Sequence, residues 1–204
     1  MSMGRAFEFY AKYPQEMDAY LYDELNLDNV ISSAEANELD ALIKRINTES
    51  EIAVKDLLSE CIDHIKSVYK SVKFYIVKKR CAWDAEAKLY RNTNTMPSKF
   101  SVYIGISIDT SCDENVLVAK CWVWFKNRKK ASIDPADEMK KCLDTAKLST
   151  ANVIKENGGV TAYIHSFNID PTNKVGLDKS LLVSELIKPF LMFGENNILK
   201  LAVL

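Results

Sequence analysis

The residues of this chain that could act on a substrate are few. Two histidines (His64 and His165), five cysteines and Lys120 are the side chains to weigh first. A lysine in an acid-x-Lys pattern near a second carboxylate has a defined use. The carboxylate oxygens hold a hard divalent cation, and the ammonium orients or activates the attacking water. Here the segment is Val118-Ala119-Lys120, so the lysine is present and the acid is missing. Asp109, Asp113 and Glu114 stand in the connection before it, where acids are also common turn residues. A working site would need a carboxylate from elsewhere, such as Glu51 or Glu60 of the preceding helix. Asp109, Lys120 and Glu60 are then the candidate catalytic set, with Mg²⁺ as the ion. Without such a migrated acid no cofactor is expected.

Other constellations are missing. The sequence has no G-x-G-x-x-G, Walker loop, G-x-S-x-G or H-E-x-x-H. A His-ligated metal would draw on both histidines plus acids, and their spacing gives it no support. Cys61, Cys81, Cys112, Cys121 and Cys142 are odd in number and show no C-x-x-C, so neither a disulfide framework nor a thiolate cluster is indicated. Cys61 and Cys121 fall on apolar faces and read as small buried hydrophobes.

Composition sets the bounds for these residues. The 204 residues are 48% hydrophobic and 27% charged with a net charge of −1, which excludes a mainly disordered chain. The length suits one domain, 1–204, in which a helical segment (1–72) packs on an α+β core (73–204). No apolar run approaches the length that spans a bilayer, and Met1–Tyr10 lacks a signal-peptide pattern, so a cytoplasmic location without membrane contact is expected. Near-zero net charge gives no global attraction to nucleic acid. Two local clusters, Lys78-Lys79-Arg80 and Lys126-Asn127-Arg128-Lys129-Lys130, are either solvated strand ends that discourage edge pairing or contacts to phosphate or an acidic partner.

The elements that must position these residues follow from periodicity. Pro14 suits a first helical turn, and Met17, Tyr20, Leu21 and Leu25 form one stripe behind it. The aromatics around them (Phe7, Phe9, Tyr10, Tyr13, Tyr20, Tyr22) point to docking on the core ahead of a role as partner anchors. Ser32 or Ser33 caps a second helix through Leu39, Leu42, Ile43 and Ile46. Thr48-Glu49-Ser50-Glu51 reads as a capping box that opens a third helix, running to about Val72. Residues 73–79 switch to a strand, 82–90 fit either a short helix or a strand, and 92–98 are loop. Phe100–Ile108 and Val116–Lys126 alternate strictly and form a hairpin. Asp134-Pro135 opens a helix whose stripe continues through Leu148, Val153 and Ile154 to the stop at Asn157-Gly158-Gly159. A strand over 160–169 and a helix over 177–192, kinked or ended near Pro189, follow. The apolar tail 198–204 is either a final strand or a subunit contact.

The fold expected is α+β: a mainly antiparallel sheet of four to five strands flanked by helices, with the N-terminal helices packed on the sheet or on a second copy as a homodimer. The order helix, strand, strand, strand, helix, strand over 50–169 is that of the PD-(D/E)xK nuclease core, an order many α+β domains share and which alone identifies no family. Lys120, Trp122 and Trp124 share one face of their strand, and Tyr103 falls on the same side of the neighbouring one. If that face is uncovered, these four residues make an aromatic–cationic platform able to stack bases or receive a partner's loop. The number of helices favours cover instead. The missing chemistry weighs against an enzyme and for a binding protein of the inhibitor, immunity or adaptor type, with a protein partner. The alternative is a metal-dependent nuclease, or a degenerate relative that still binds nucleic acid through Lys78, Lys79, Arg80, Arg128, Lys129 and Lys130.

Overall fold

The computed structural model describes residues 3–21, 33–69, 72–79, 82–89, 100–111, 115–127, 134–145, 147–148, 151–156, 159–172 and 177–194. They contain helices α1 (Arg5–Lys12), α2 (Pro14–Leu21) and α3 (Ser33–Val68), then strands β1 (Val72–Lys79), β2 (Ala82–Leu89), β3 (Phe100–Ser111) and β4 (Val116–Asn127). Helix α4 (Pro135–Thr145), strands β5 (Asn152–Glu156) and β6 (Gly159–Ile169) and helix α5 (Lys179–Phe193) complete the order. The strands make one sheet, β1-β2-β3-β4-β6-β5, antiparallel at every pairing. This is the α+β architecture with its N-terminal helical segment, and it holds six strands where four or five were expected.

The hairpin at its centre forms where the alternation is strictest. Val102, Ile104, Ile106 and Ile108 of β3 and Leu117, Ala119, Cys121, Val123 and Phe125 of β4 are all buried on one face. Helices cover that face. Tyr10 of α1 meets Trp83 of β2 edge-on at 5.1 Å. Asp18 of α2 accepts hydrogen bonds from the Tyr10 hydroxyl and, at 2.7 Å, from Thr110 Oγ1. Cys121 Sγ lies 3.2 Å from the Leu186 carbonyl of α5, and Tyr69, just past α3, donates to the Phe190 carbonyl at 3.0 Å. Helix α4 joins them: its Ala136, Met139, Cys142 and Leu143 are buried in the same hydrophobic core as Val123, Phe125, Val160 and Ala162.

Three expectations need correction, and two left open are decided. The helices expected on either side of Thr48 are one helix of 36 residues. Thr48 does not cap; its Oγ1 bonds back to the Lys44 carbonyl at 2.8 Å, the alternative always open to a hydroxyl inside a helix. The pairs Asp40–Lys44, Arg45–Glu49 and Glu51–Lys55 carry the helix across the junction. The helix ends at Val68, and Val72 already belongs to β1.

Helix α4 stops at Thr145 rather than running to the glycines, and residues 152–156 are a strand. Lys147 takes φ 57°, Leu148 N–H bonds to Leu143 O and Lys147 N–H to Asp144 O, a Schellman ending without its usual glycine. Residues 82–89 are a strand because Trp83 and Ala85 pack beneath helices at period 2, against the helical propensity of the alanines. Pro189 lies inside α5, which continues to Phe193 and ends at Gly194, φ 68°. The expected strand or contact over 198–204 lies outside the described residues.

Candidate binding face

The ladder register arranges the other side of the sheet in cross-strand rows. One row reads Lys73, Lys88, Tyr103, Trp124, Thr161 and Ile154 across all six strands. The next reads Tyr75, Glu86, Gly105, Trp122, Tyr163 and Asn152. A third carries Asp84, Ser107, Lys120 and Ser166, and a fourth Ala82, Asp109, Val118 and Asn168. The face therefore has an aromatic half and a polar half. The helical cover expected here is not supplied by any described helix, because the helices placed by their contacts all lie on the opposite face. Tyr103, Trp122, Trp124 and Tyr163 are half-buried, Tyr75 is 54% exposed and Ile154 40%.

Glycines explain how indoles can be half-buried on an uncovered sheet. A Cβ on Gly105 would sit 2.1 Å from the Trp122 ring, so that ring occupies the space a side chain would take on its cross-strand neighbour. A Cβ on Gly159 would meet Trp124 Nε1 at 2.5 Å and the Phe125 carbonyl at 2.4 Å. A glycine inside a strand commonly marks such a close approach. Trp124 and Tyr103 are in ring contact at 5.0 Å, and Lys126 reaches over the Trp124 ring at 5.4 Å. Trp124 Nε1 is buried with no hydrogen-bond partner among the described residues, so ring contacts rather than a hydrogen bond hold this indole.

In the polar half Lys120 Nζ donates to Asp109 Oδ2 at 2.7 Å, with Ser107 Oγ 3.3 Å from the same oxygen. The ammonium also stands 5.8 Å from the Tyr163 ring. Asp84, opposite Ser107, is buried. An open cleft of about 560 Å³ runs from Lys120 past Tyr163 and Ser166 to Asn152 and Ile154. It lies where β5 stops short and β6 carries a bulge between the partners of Cys121 and Trp122.

Of the residues singled out in the sequence, Tyr103, Lys120, Trp122 and Trp124 do come together on one face. Asp109 joins Lys120; Glu60 does not. Glu60 belongs to α3 and, with Asp56, binds Lys179 at 2.7 and 2.6 Å, hydrogen bonds that hold the lysine ammonium above its ordinary value. Lys78 and Lys79 end β1, Lys79 in register with Ala82 and Asp109 and Lys78 with Trp83 and Ile108, whereas Arg80, Arg128, Lys129 and Lys130 lie outside the described residues. Glu51 pairs with Lys55, Asp113 and Glu114 lie outside the described residues, and no described group of three or more His, Cys, Asp or Glu side chains comes together as a metal site. His165 Nε2 is 3.5 Å from Glu185. Sequence reading missed the roles of Gly105, Gly159 and Tyr163; the signal for Gly105 was a glycine inside an alternating strand.

The geometry defines a class: an antiparallel sheet backed by helices on one face, with flat aromatic rings and a lysine–aspartate pair on the other. No protein-family model, no curated protein and no solved structure matches this chain. No described helix is long and apolar enough to cross a membrane.

Proposed function

We propose that this protein works by binding another macromolecule across the face that carries Tyr103, Trp122 and Trp124, in an adaptor or inhibitor role and without a reaction of its own. One observation carries this reading: the described helices pack on the opposite face, while these rings and Tyr163 lie half-buried on the sheet. Aromatic rings held in place before binding lose little freedom on it, which is why such residues concentrate at binding surfaces. A cytoplasmic location fits the free thiols Cys61, Cys121 and Cys142, all buried and unbridged. Pairing of two copies draws support from Leu42 and Ile52, 47% and 62% exposed along α3.

The test compares what an immobilised chain retains from native extract with what the Trp122→Ala/Trp124→Ala variant retains, circular dichroism confirming that both are folded. Material bound in stoichiometric amount by the first and lost by the second supports the reading. Equal recovery from both removes it.

A second reading, Mg²⁺-dependent cleavage of nucleic acid, rests on the Asp109–Lys120 pair. The geometry favours it less. The Asp109 carboxylate is engaged by the lysine at 2.7 Å, and Glu60 is held by Lys179 on a helix packed against the other face. Cleavage of single- and double-stranded substrates with Mg²⁺, abolished by Lys120→Ala, would reinstate it.

A further inference from the structure

We infer that the macromolecule bound is a protein, and that it adds an extended strand to the open edge of β6 at Ile164–Phe167 with an acidic side chain beside Lys120; this rests on the binding reading above. The ladder comes first. On its outer side β6 pairs with β5 from Gly159 only as far as Tyr163, whereas on its inner side it pairs with β4 as far as Ile169. His165, Ser166 and Phe167 therefore have β4 on one side and no described strand on the other, and Ile164 is the bulge residue before them. Among the described residues no backbone bond from a turn or loop reaches these four. Successive residues of a strand turn their N–H and C=O to opposite sides, so about two of the four offer both groups outward. Donors and acceptors alternating at that spacing are matched by the backbone of another strand, which is how extended segments of partner proteins add to sheet edges.

The chain leading into β5 leaves this edge open because it turns away. Ala151 N–H bonds to the Leu148 carbonyl, and Leu148 and Ala151 pack against the core instead of extending the ladder. The cleft of about 560 Å³ lies in the gap, with Ala151, Asn152 and Ile154 on the β5 side and Ile164, His165 and Ser166 on the β6 side. Its lining sets the chemistry of the added strand. Ser166 is the ladder partner of Lys120, so a residue level with Ser166 on an added strand falls in the row of Lys120. Lys120 gives a hydrogen to Asp109, and an ammonium has three; its side chain is 32% exposed and lines the cleft. No described carboxylate lines the cleft, so an acceptor is favoured there, and a charged one most. Tyr163 belongs both to the cleft and to the row of Trp122, which makes the edge continuous with the aromatic face.

The experiment follows fluorescence anisotropy of a labelled Val-Glu-Val-Glu-Val-Glu-Val peptide with the full chain, beside a twin with Lys for Glu and a twin N-methylated at two successive central residues, which takes a donor from each of its edges. Expected is saturable binding of the glutamate peptide, about tenfold weaker binding of the lysine twin and none of the N-methylated one. Lys120→Gln, its fold checked by circular dichroism, should weaken the glutamate peptide about fivefold, and less at high salt. Hydrogen exchange should slow at residues 164–167 on adding the peptide and stay unchanged along β1, the opposite edge of the sheet. Absence of saturable binding, equal binding of the N-methylated twin, indifference to charge in the twin and in Lys120→Gln, or protection confined to β1 each overturns the inference. If the peptide fails while a macromolecule is still captured in a Trp122- and Trp124-dependent way, this inference alone falls. If that capture fails as well, the binding reading falls with it.

Discussion

On one side of β3 and β4, Ile104, Ile106, Cys121 and Val123 are sealed beneath helices; on the other, Trp122 and Trp124 lie against the backbone of glycines and Tyr103 against the Trp124 ring. The same two strands supply both sets by alternation. The sealed side excludes water with a second layer of structure, and each helix there is tied by specific bonds such as Tyr69 to Phe190. The uncovered side excludes it only by laying large rings over glycines. The first arrangement fixes the fold and leaves nothing for a partner to touch. The second leaves these side chains only half-buried, at the cost of weaker hold on each of them.

The largest effects should separate the faces. Ile106→Ala, at a fully buried position, should cost about 2–5 kcal/mol in urea unfolding, because it removes apolar contact and leaves a cavity. A fall in stability comparable to that from Lys120→Ala would show the sealed side to be looser than described. Burial, with the Glu60 charge next, pushes the Cys61 thiol up to about 12, and burial also raises that of Cys121. The folded chain thus keeps protons that an unfolded thiol releases above about 8.5. Stability is complete below that value and falls as pH rises toward about 12. Lys179, also raised, adds to the loss in the same direction. Cys61→Ala should flatten the alkaline decline; an unchanged slope would assign it elsewhere.

Next come the two glycines, which should behave differently. Gly159→Ala sets a methyl against the Phe125 carbonyl, which is backbone and cannot turn aside, so about 1–3 kcal/mol should be lost. Gly105→Ala meets only the rim of the Trp122 ring, which can lift. Its signature should be a red-shifted tryptophan emission with a smaller stability change. Equal losses without an emission shift would mean that Trp122 does not rest on Gly105.

The Asp109–Lys120 pair should contribute less again. Its side chains are 23% and 32% exposed, and a double-mutant cycle should return about 0.2–1 kcal/mol, shrinking with salt. A larger, salt-insensitive coupling would mark a pair buried by something bound over it.

Legibility in the sequence divides along the same line. The core sides of β3 and β4 could be read because burial imposes period 2 over a whole strand. So could the start of α4, where Asp134 takes the Ala136 N–H at 2.9 Å, the bond that most lowers its carboxyl pKa. The end of α4 could not, because Lys147 occupies a backbone region usually left to glycine. The four platform residues were found by alternation within single strands. Gly105 and Gly159 were not, since what makes them matter is the residue across the ladder, and register is not written in either strand alone. Glu60 was misplaced for a related reason: which side of the sheet a helix packs on is decided by the whole set of helices.

The smallest effect has the opposite sign and probes the helix that closes the sealed side. Ser50 sits fully buried in α3, on the stripe that continues through Val54, Leu57 and Cys61, and its Oγ has no hydrogen-bond partner among the described residues. A buried hydroxyl without a partner costs free energy, and serine is a poorer helix former than alanine. Ser50→Ala should therefore stabilise the chain by about 0.5–1 kcal/mol, seen as a raised urea midpoint at unchanged m-value. On the uncovered side no equivalent gain is expected from deleting a polar atom, since Ser166 is exposed and its hydroxyl reaches water. A loss of stability on Ser50→Ala would mean that the hydroxyl is satisfied in solution, and that α3 is not packed as tightly at this point as its buried stripe indicates.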